Sequence, residues 1–166
     1  MTIDSQVTDR LKFAVEIAHA AGDLTLKYFR RHDLQVERKA DTSPVTIADR
    51  SAEELLRERI SKRFPNDAIL GEELGTSDGT SGYQWVLDPI DGTKSFIHGV
   101  PLYTTLVAVL HDDQPRIGVI GFPQIGARQR CRRSGVTVHD GSQLPASRPH
   151  LPHGVDDRAG VPLPFL

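Results

Sequence analysis

Apolar positions along this chain fall first into a helical rhythm, then into strand rhythms, and then thin out. Over residues 5–31, Leu11, Ala14, Val15, Ala18, Ala21, Thr25, Tyr28 and Phe29 recur at the helical period and predict one long amphipathic helix. Gly22 weakens its middle by about 1 kcal/mol relative to alanine. Leu34–Arg38 reads as a strand leading into a polar turn, Lys39–Pro44. A second helix is expected from about Ala48 to Phe64, burying Ala52, Leu55, Leu56, Ile60 and Phe64. Thr46 and Asp49 have the spacing of a capping box at its start, with Asp in place of the usual Glu or Gln, and Pro65-Asn66 ends it. Asp67–Leu70 and Gln84–Leu87 are short strand candidates. Leu102–His111 and Arg116–Phe122 read as two strands joined by a turn at Asp112–Pro115.

After about Gly126 the pattern fails. Ala127–Leu166 is rich in Arg, Pro, Gly, His and Ser, and its apolar residues stand singly, with no period beyond Gly135–Val138. By composition this is an atypical, disordered tail that buries no core. The expected division is therefore a folded part over 1–126 and a tail over 127–166.

Composition narrows the class. The chain has 166 residues, of which 25% are charged and 38% apolar, the balance of a soluble globular protein. A net charge of -2 gives no strong field to draw nucleic acid or an anionic membrane. The arginines between Arg128 and Arg133 lack interleaved aromatics, which argues further against nucleic acid. The single cysteine, Cys131, excludes an internal disulfide framework and a Cys-rich zinc site, and fits a cytoplasmic protein. The N-terminus is polar with no long apolar run behind it, so neither a secretory signal nor a membrane span is read.

Three segments carry candidate chemistry. Gly71-Glu72-Glu73 follows a short strand and places two carboxylates at its end. Taken alone it reads as a solvated pair. In Trp85-Val-Leu-Asp88-Pro-Ile-Asp91-Gly-Thr93, an apolar strand delivers Asp88 to its C-terminal end, where α/β proteins tend to place ligand sites. Asp91 follows three residues on, so both carboxylates can converge on one point. Gly92 permits close backbone approach, and Thr93 adds a hydroxyl beside backbone N–H groups suited to phosphate. Crowded carboxylates repel and take up protons unless a hard cation such as Mg²⁺ neutralises them. Glu72, Asp88 and Asp91 bring about three negative charges and a phosphate ester about two more, which two or three divalent ions balance. The third segment runs from Lys39 to Asp49. Its ordinary reading is a surface turn and a helix cap; its functional reading puts Asp49 behind Thr93 as an acceptor, orienting Thr93 to help deprotonate a water held by Glu72.

Together these segments resemble the inositol monophosphatase family of Mg²⁺-dependent phosphatases. The matching residues are Lys39 through Asp49, Gly71-Glu72-Glu73 and Asp88-Pro-Ile-Asp91-Gly-Thr93, with Lys94–Pro101 as their continuation. The similarity covers roughly Val7 to Gly126. Gly92–Ile97 followed by Pro101–Leu106 looks most like the histidinol-phosphatase branch, which acts in histidine biosynthesis. The resemblance implies a layered α/β (α+β) sandwich of the α/β/α/β/α type, of which this chain has the N-terminal part.

It also implies roles for residues. Glu72 and Asp88 hold a first metal with the carbonyl of Ile90, and Asp88 and Asp91 hold a second. Glu72 and Thr93 position the attacking water, and Asp49 supports Thr93. Asp91 and the backbone of Gly92 and Thr93 bind the phosphate, while Glu73 and Lys39 stand behind the metal ligands. The implied activity is hydrolysis of a small phosphorylated metabolite, with histidinol phosphate first, inositol 1-phosphate or a related sugar phosphate as alternatives, and a homodimer as the implied assembly.

One departure matters. The family's second half carries a Trp-Asp pair that completes the second metal site. Trp85 is the only tryptophan here, and Asp140, Asp156 and Asp157 lack the surrounding apolar pattern. The expectation is a frameshift or early ending near codon 127, leaving a truncated chain that is either active or an inactive metal-binding remnant. Two rival classes fit less well. A haloacid-dehalogenase-like phosphatase separates its two aspartates by one residue, not two. A P-loop needs Gly-Lys-Ser, which Gly92-Thr-Lys-Ser95 does not supply. His98 lies close enough to touch substrate, but a lone loop histidine more often has no role.

Overall fold

The computed structural model describes residues 3–124 and 136–139. Helix α1 spans Ile3–Leu26, five residues short of the expected end. Thr25 turns its hydroxyl onto the carbonyl of Gly22, and the chain leaves the helix through turns that put Arg30 at a positive φ of 61°. The helix's buried stripe also takes in Phe13 and Ile17. Gly22 has a packing role: a Cβ there would lie 3.1 Å from Pro123 Cγ.

Strands β1 (Val36–Arg38) and β2 (Pro44–Thr46) form a small antiparallel hairpin around the Lys39–Ser43 turn. β2 was not expected. Helix α2 (Ile47–Arg63) starts at the capping box: Asp49 accepts the backbone N–H of Thr46, and the Thr46 side chain accepts from Ala48. Ala52, Leu56 and Ile60 are fully buried on it, whereas Leu55 and Phe64 are only partly covered.

The main sheet has six strands in the order β4-β3-β5-β6-β7-β8. These are β3 (Ala68–Gly71), β4 (Gly75–Ser77), β5 (Tyr83–Asp91), β6 (Thr104–His111), β7 (Gln114–Gly121) and β8 (Val136–His139). Only the β3–β5 pair is parallel. β6 and β7 turn at Asp112 and Asp113, both at positive φ, so the turn is tighter than expected and Pro115 belongs to a strand. The expected tail lies outside the described residues, apart from β8.

Helices α1 and α2 cover one face of the sheet. Trp85, Leu87, Val107, Val109, Ile117 and Val119 meet Phe13, Ile17, Leu56 and Ile60 there. At one end of this core Asp67 is fully engaged: Arg10 bonds both of its oxygens at 2.8 Å, Trp85 Nε1 donates at 2.8 Å and Ser81 at 2.7 Å. The opposite face carries Leu70, Val86, Leu106 and Ile120, of which Leu70 and Ile120 are exposed, and no described helix packs on it.

Candidate active site

The site forms where β3 and β5 end side by side. Gly71 lies opposite Leu87, and the N–H of Glu72 donates to the Leu87 carbonyl at 3.1 Å. Side chains alternate across a sheet. Gly71 therefore faces the helices, while Glu72 and Glu73 lie in the turn beyond the strand, both within reach of Lys39. Between Asp88 and Asp91 the register with β6 slips. Thr105 Oγ1 bonds the carbonyl of Pro89 at 2.9 Å, and Thr104 Oγ1 bonds Asp91 Oδ2 at 3.2 Å. Such an irregularity re-aims side chains at a strand end, here the two aspartates. Gly92, at φ 90°, then starts the short helix α3 (Thr93–Ile97). A Cβ on Gly92 would also crowd the carbonyl of Leu102 at 3.3 Å.

Asp88 lies close enough to Glu72 and Asp91 for their charges to act on it. Burial, followed by the charge and hydrogen bond of Glu72 and the charge of Asp91, pushes Asp88 up to about 8. Its Oδ1 is buried and finds no hydrogen-bond donor. Lys39 Nζ lies 2.7 Å from Glu72 Oε1 and 2.7 Å from Glu73 Oε1. Burial works against the Lys39 charge, but the two glutamates outweigh it and raise its pKa. Glu73 is raised, chiefly by burial and against the pull of Lys39. The Lys39 ammonium group thus offsets part of the negative charge of the acidic cluster. Among the described residues no group of three or more His, Cys, Asp or Glu side chains is arranged to hold a metal ion.

Behind this cluster, Thr93 Oγ1 lies 3.3 Å from Asp49 Oδ1 and 3.0 Å from the Ile90 carbonyl. Asp49 is raised by burial, which its bonds to Thr46 and Thr93 only partly offset. His98 Nδ1 bonds the Lys94 carbonyl at 2.7 Å and serves its own turn.

Two residues near the site were missed. Glu53 is fully buried beneath the Glu72–Leu74 turn, and Arg57 is bonded to it at 2.8 Å. The signal was present: Glu53 precedes Leu56 by three positions on the apolar face of α2, and Arg57 stands four residues on.

The model of the inositol monophosphatase family matches residues 6–158. This chain belongs to the inositol monophosphatase family. It is 46% identical over 141 residues to the histidinol-phosphatase of Chlorobaculum parvum, covering 85% of this chain and 54% of that protein. With the histidinol-phosphatase of Mycobacterium tuberculosis it shares 39% over 142 residues, covering 86% and 54%. The Thermotoga maritima IMPase superposes with a TM-score of 0.64 at 32% identity, over 70% of this chain and 45% of that one. The fold is thus the family's mixed α/β arrangement, and the chain spans about half the length of the curated relatives it matches.

Proposed function

We propose that the chain carries the metal-binding and water-activating part of a magnesium-dependent phosphate monoesterase acting on histidinol phosphate. One observation supports this most: Asp88, close enough to Glu72 and Asp91 to feel their charges, keeps a buried oxygen that no donor reaches. A structural carboxylate would have its oxygens satisfied, as those of Asp67 are.

The donors are carboxylate and main-chain oxygens, the set Mg²⁺ favours. Glu72, Asp88 and Asp91, with the carbonyl of Ile90, would hold two or three ions. When bound, Mg²⁺ supplies the positive charge that polarises a phosphoryl oxygen and acidifies water. The chain's own groups do the rest. Glu72 orients the attacking water, and the Thr93 hydroxyl takes part in moving its proton, with Asp49 as the acceptor behind it. Asp91 and the backbone of Gly92 and Thr93 hold the phosphoryl group at the start of α3. Lys39, bonded to both Glu72 and Glu73, would stand behind the metal ligands as a counter-charge. Histidinol phosphate is preferred as substrate because the 46% and 39% identical relatives are histidinol-phosphatases. A cytoplasmic location, read from the single cysteine, is part of the same proposal.

The test is release of phosphate by this chain, with and without Mg²⁺, from histidinol phosphate and from inositol 1-phosphate. Mg²⁺-dependent release favouring histidinol phosphate supports the proposal. Release that persists in excess chelator, or that favours inositol phosphate, contradicts the metal or the substrate assignment respectively.

A further inference from the structure

We infer that Glu53 is a positioning residue that sets the geometry of the acidic site through the backbone of the Glu72–Leu74 turn. The inference rests on the reading above that Glu72 holds a metal.

Glu53 lies on α2 with no exposed surface. Its Oε2 accepts the N–H of Glu73 at 2.7 Å, and its Oε1 accepts the N–H of Leu74 at 3.1 Å. Arg57 Nε donates to Oε1 at 2.8 Å, while its other nitrogens bond Ser77 Oγ at 3.0 Å and the carbonyl of Gly75. The buried Glu53 and its partly buried partner Arg57 therefore grip the β3–β4 turn by two amides, one carbonyl and one hydroxyl.

Gly71 is matched to this arrangement. A Cβ there would fall 1.8 Å from Glu53 Oε1 and 2.3 Å from its Cδ. The first residue of Gly71-Glu72-Glu73 therefore makes room for the carboxylate that fixes the two after it.

Burying a charged pair stabilises little compared with apolar packing, so core filling does not explain a glutamate here. Charge-assisted bonds to backbone amides are short and directional. Locking the Glu73 amide fixes the peptide that joins Glu72 to Glu73. This holds the Glu72 carboxylate toward Asp88 and that of Glu73 toward Lys39. Glu53 touches neither the metal ligands' carboxylates nor the reacting groups, so it acts through the turn.

The test is Glu53→Gln, which keeps the shape but replaces one acceptor oxygen with a donor. Its Mg²⁺ affinity, titrated with MgCl₂ alone, is expected to fall about 10- to 100-fold, the range for groups that orient metal ligands. Amide exchange at Glu73 and Leu74, followed in excess chelator, is expected to accelerate while the core of α2 stays protected. Gly71→Ala, which displaces the Glu53 carboxylate without altering it, is expected to do the same, and it carries the test if Glu53→Gln does not fold. Folded Glu53→Gln with the parent's Mg²⁺ affinity and unchanged exchange at these amides would overturn the inference. If the parent chain binds no Mg²⁺, the functional proposal fails, and the exchange measurement alone still decides whether Glu53 locks the turn.

Discussion

Thr93 Oγ1 stands 3.3 Å from Asp49 Oδ1, linking the short helix after β5 to the first turn of α2. The same aspartate's Oδ2 accepts from the Thr46 N–H at 2.8 Å and its hydroxyl at 2.6 Å. Asp49 thus serves helix and site with different oxygens, and the two tasks separate by mutation. Thr93→Val removes only the hydroxyl. It is expected to lower kcat about 10²- to 10⁴-fold, the usual worth of a proton-transfer group, with little change in Tm. Thr93→Ser is expected to recover most of the loss. Phosphate release under saturating Mg²⁺ checks both, and a fully active Thr93→Val would remove Thr93 from the mechanism.

Asp49→Ala acts on stability as well. It leaves the buried N–H and hydroxyl of Thr46 without their acceptor, which costs about 1–3 kcal/mol. Urea unfolding of Asp49→Ala and Thr93→Val side by side is expected to show a large loss only for the first.

Stability without divalent ions is expected to fall as pH rises. Asp88 is raised from its ordinary 3.8 to about 8, so the folded protein holds that proton more tightly than the unfolded chain does. The stabilisation is complete below about pH 4, is lost as pH climbs, and is gone above about pH 8. Glu73 and Asp49, also raised, act in the same direction. Thermal unfolding in excess chelator across this range checks the slope, and Asp88→Asn is expected to flatten it.

Asp67 tests whether scaffold and site are separable. Asp67→Ala leaves the buried Arg10 charge unpaired and strips Trp85 and Ser81 of their acceptor. The expected loss is about 3–5 kcal/mol, typical of breaking a buried pair. At temperatures where the variant remains folded, its Mg²⁺ affinity is expected to match the parent's, because Asp67 lies before β3 and the acidic site lies after it. Denaturant midpoints and Mg²⁺ titration on one preparation separate the two effects.

Both long helices and the strands β3, β5, β6 and β7 could be read from the sequence, because each buries a periodic stripe. β2 and β4 could not: each is three residues long and exists through pairing with a neighbour rather than through its own pattern. The end of α1 was misplaced because Tyr28 and Phe29 keep the helical period while packing from turns onto Phe96 and Tyr103. Around the candidate site, the Thr46 and Asp49 capping box could be read from its spacing, and the positions of Glu72, Asp88 and Asp91 along the chain from the strands that lead to them. Glu53 escaped because a glutamate on an apolar stripe is easily taken for an exposed one, and its partners are backbone amides twenty residues away. Lys39 was placed behind the site, but its contacts with both Glu72 and Glu73 depend on how the β1–β2 hairpin folds over, which no local pattern reveals.

The most direct measurement is a calorimetric titration of Mg²⁺ into the chain and into Asp88→Asn, between about pH 6 and pH 8 and in buffers of different ionisation heat. Saturable binding that tightens as pH rises, releases protons below about pH 8 and disappears in Asp88→Asn is the result expected if cations displace the proton on Asp88. Equal binding by parent and Asp88→Asn, or no binding by the parent, would contradict it.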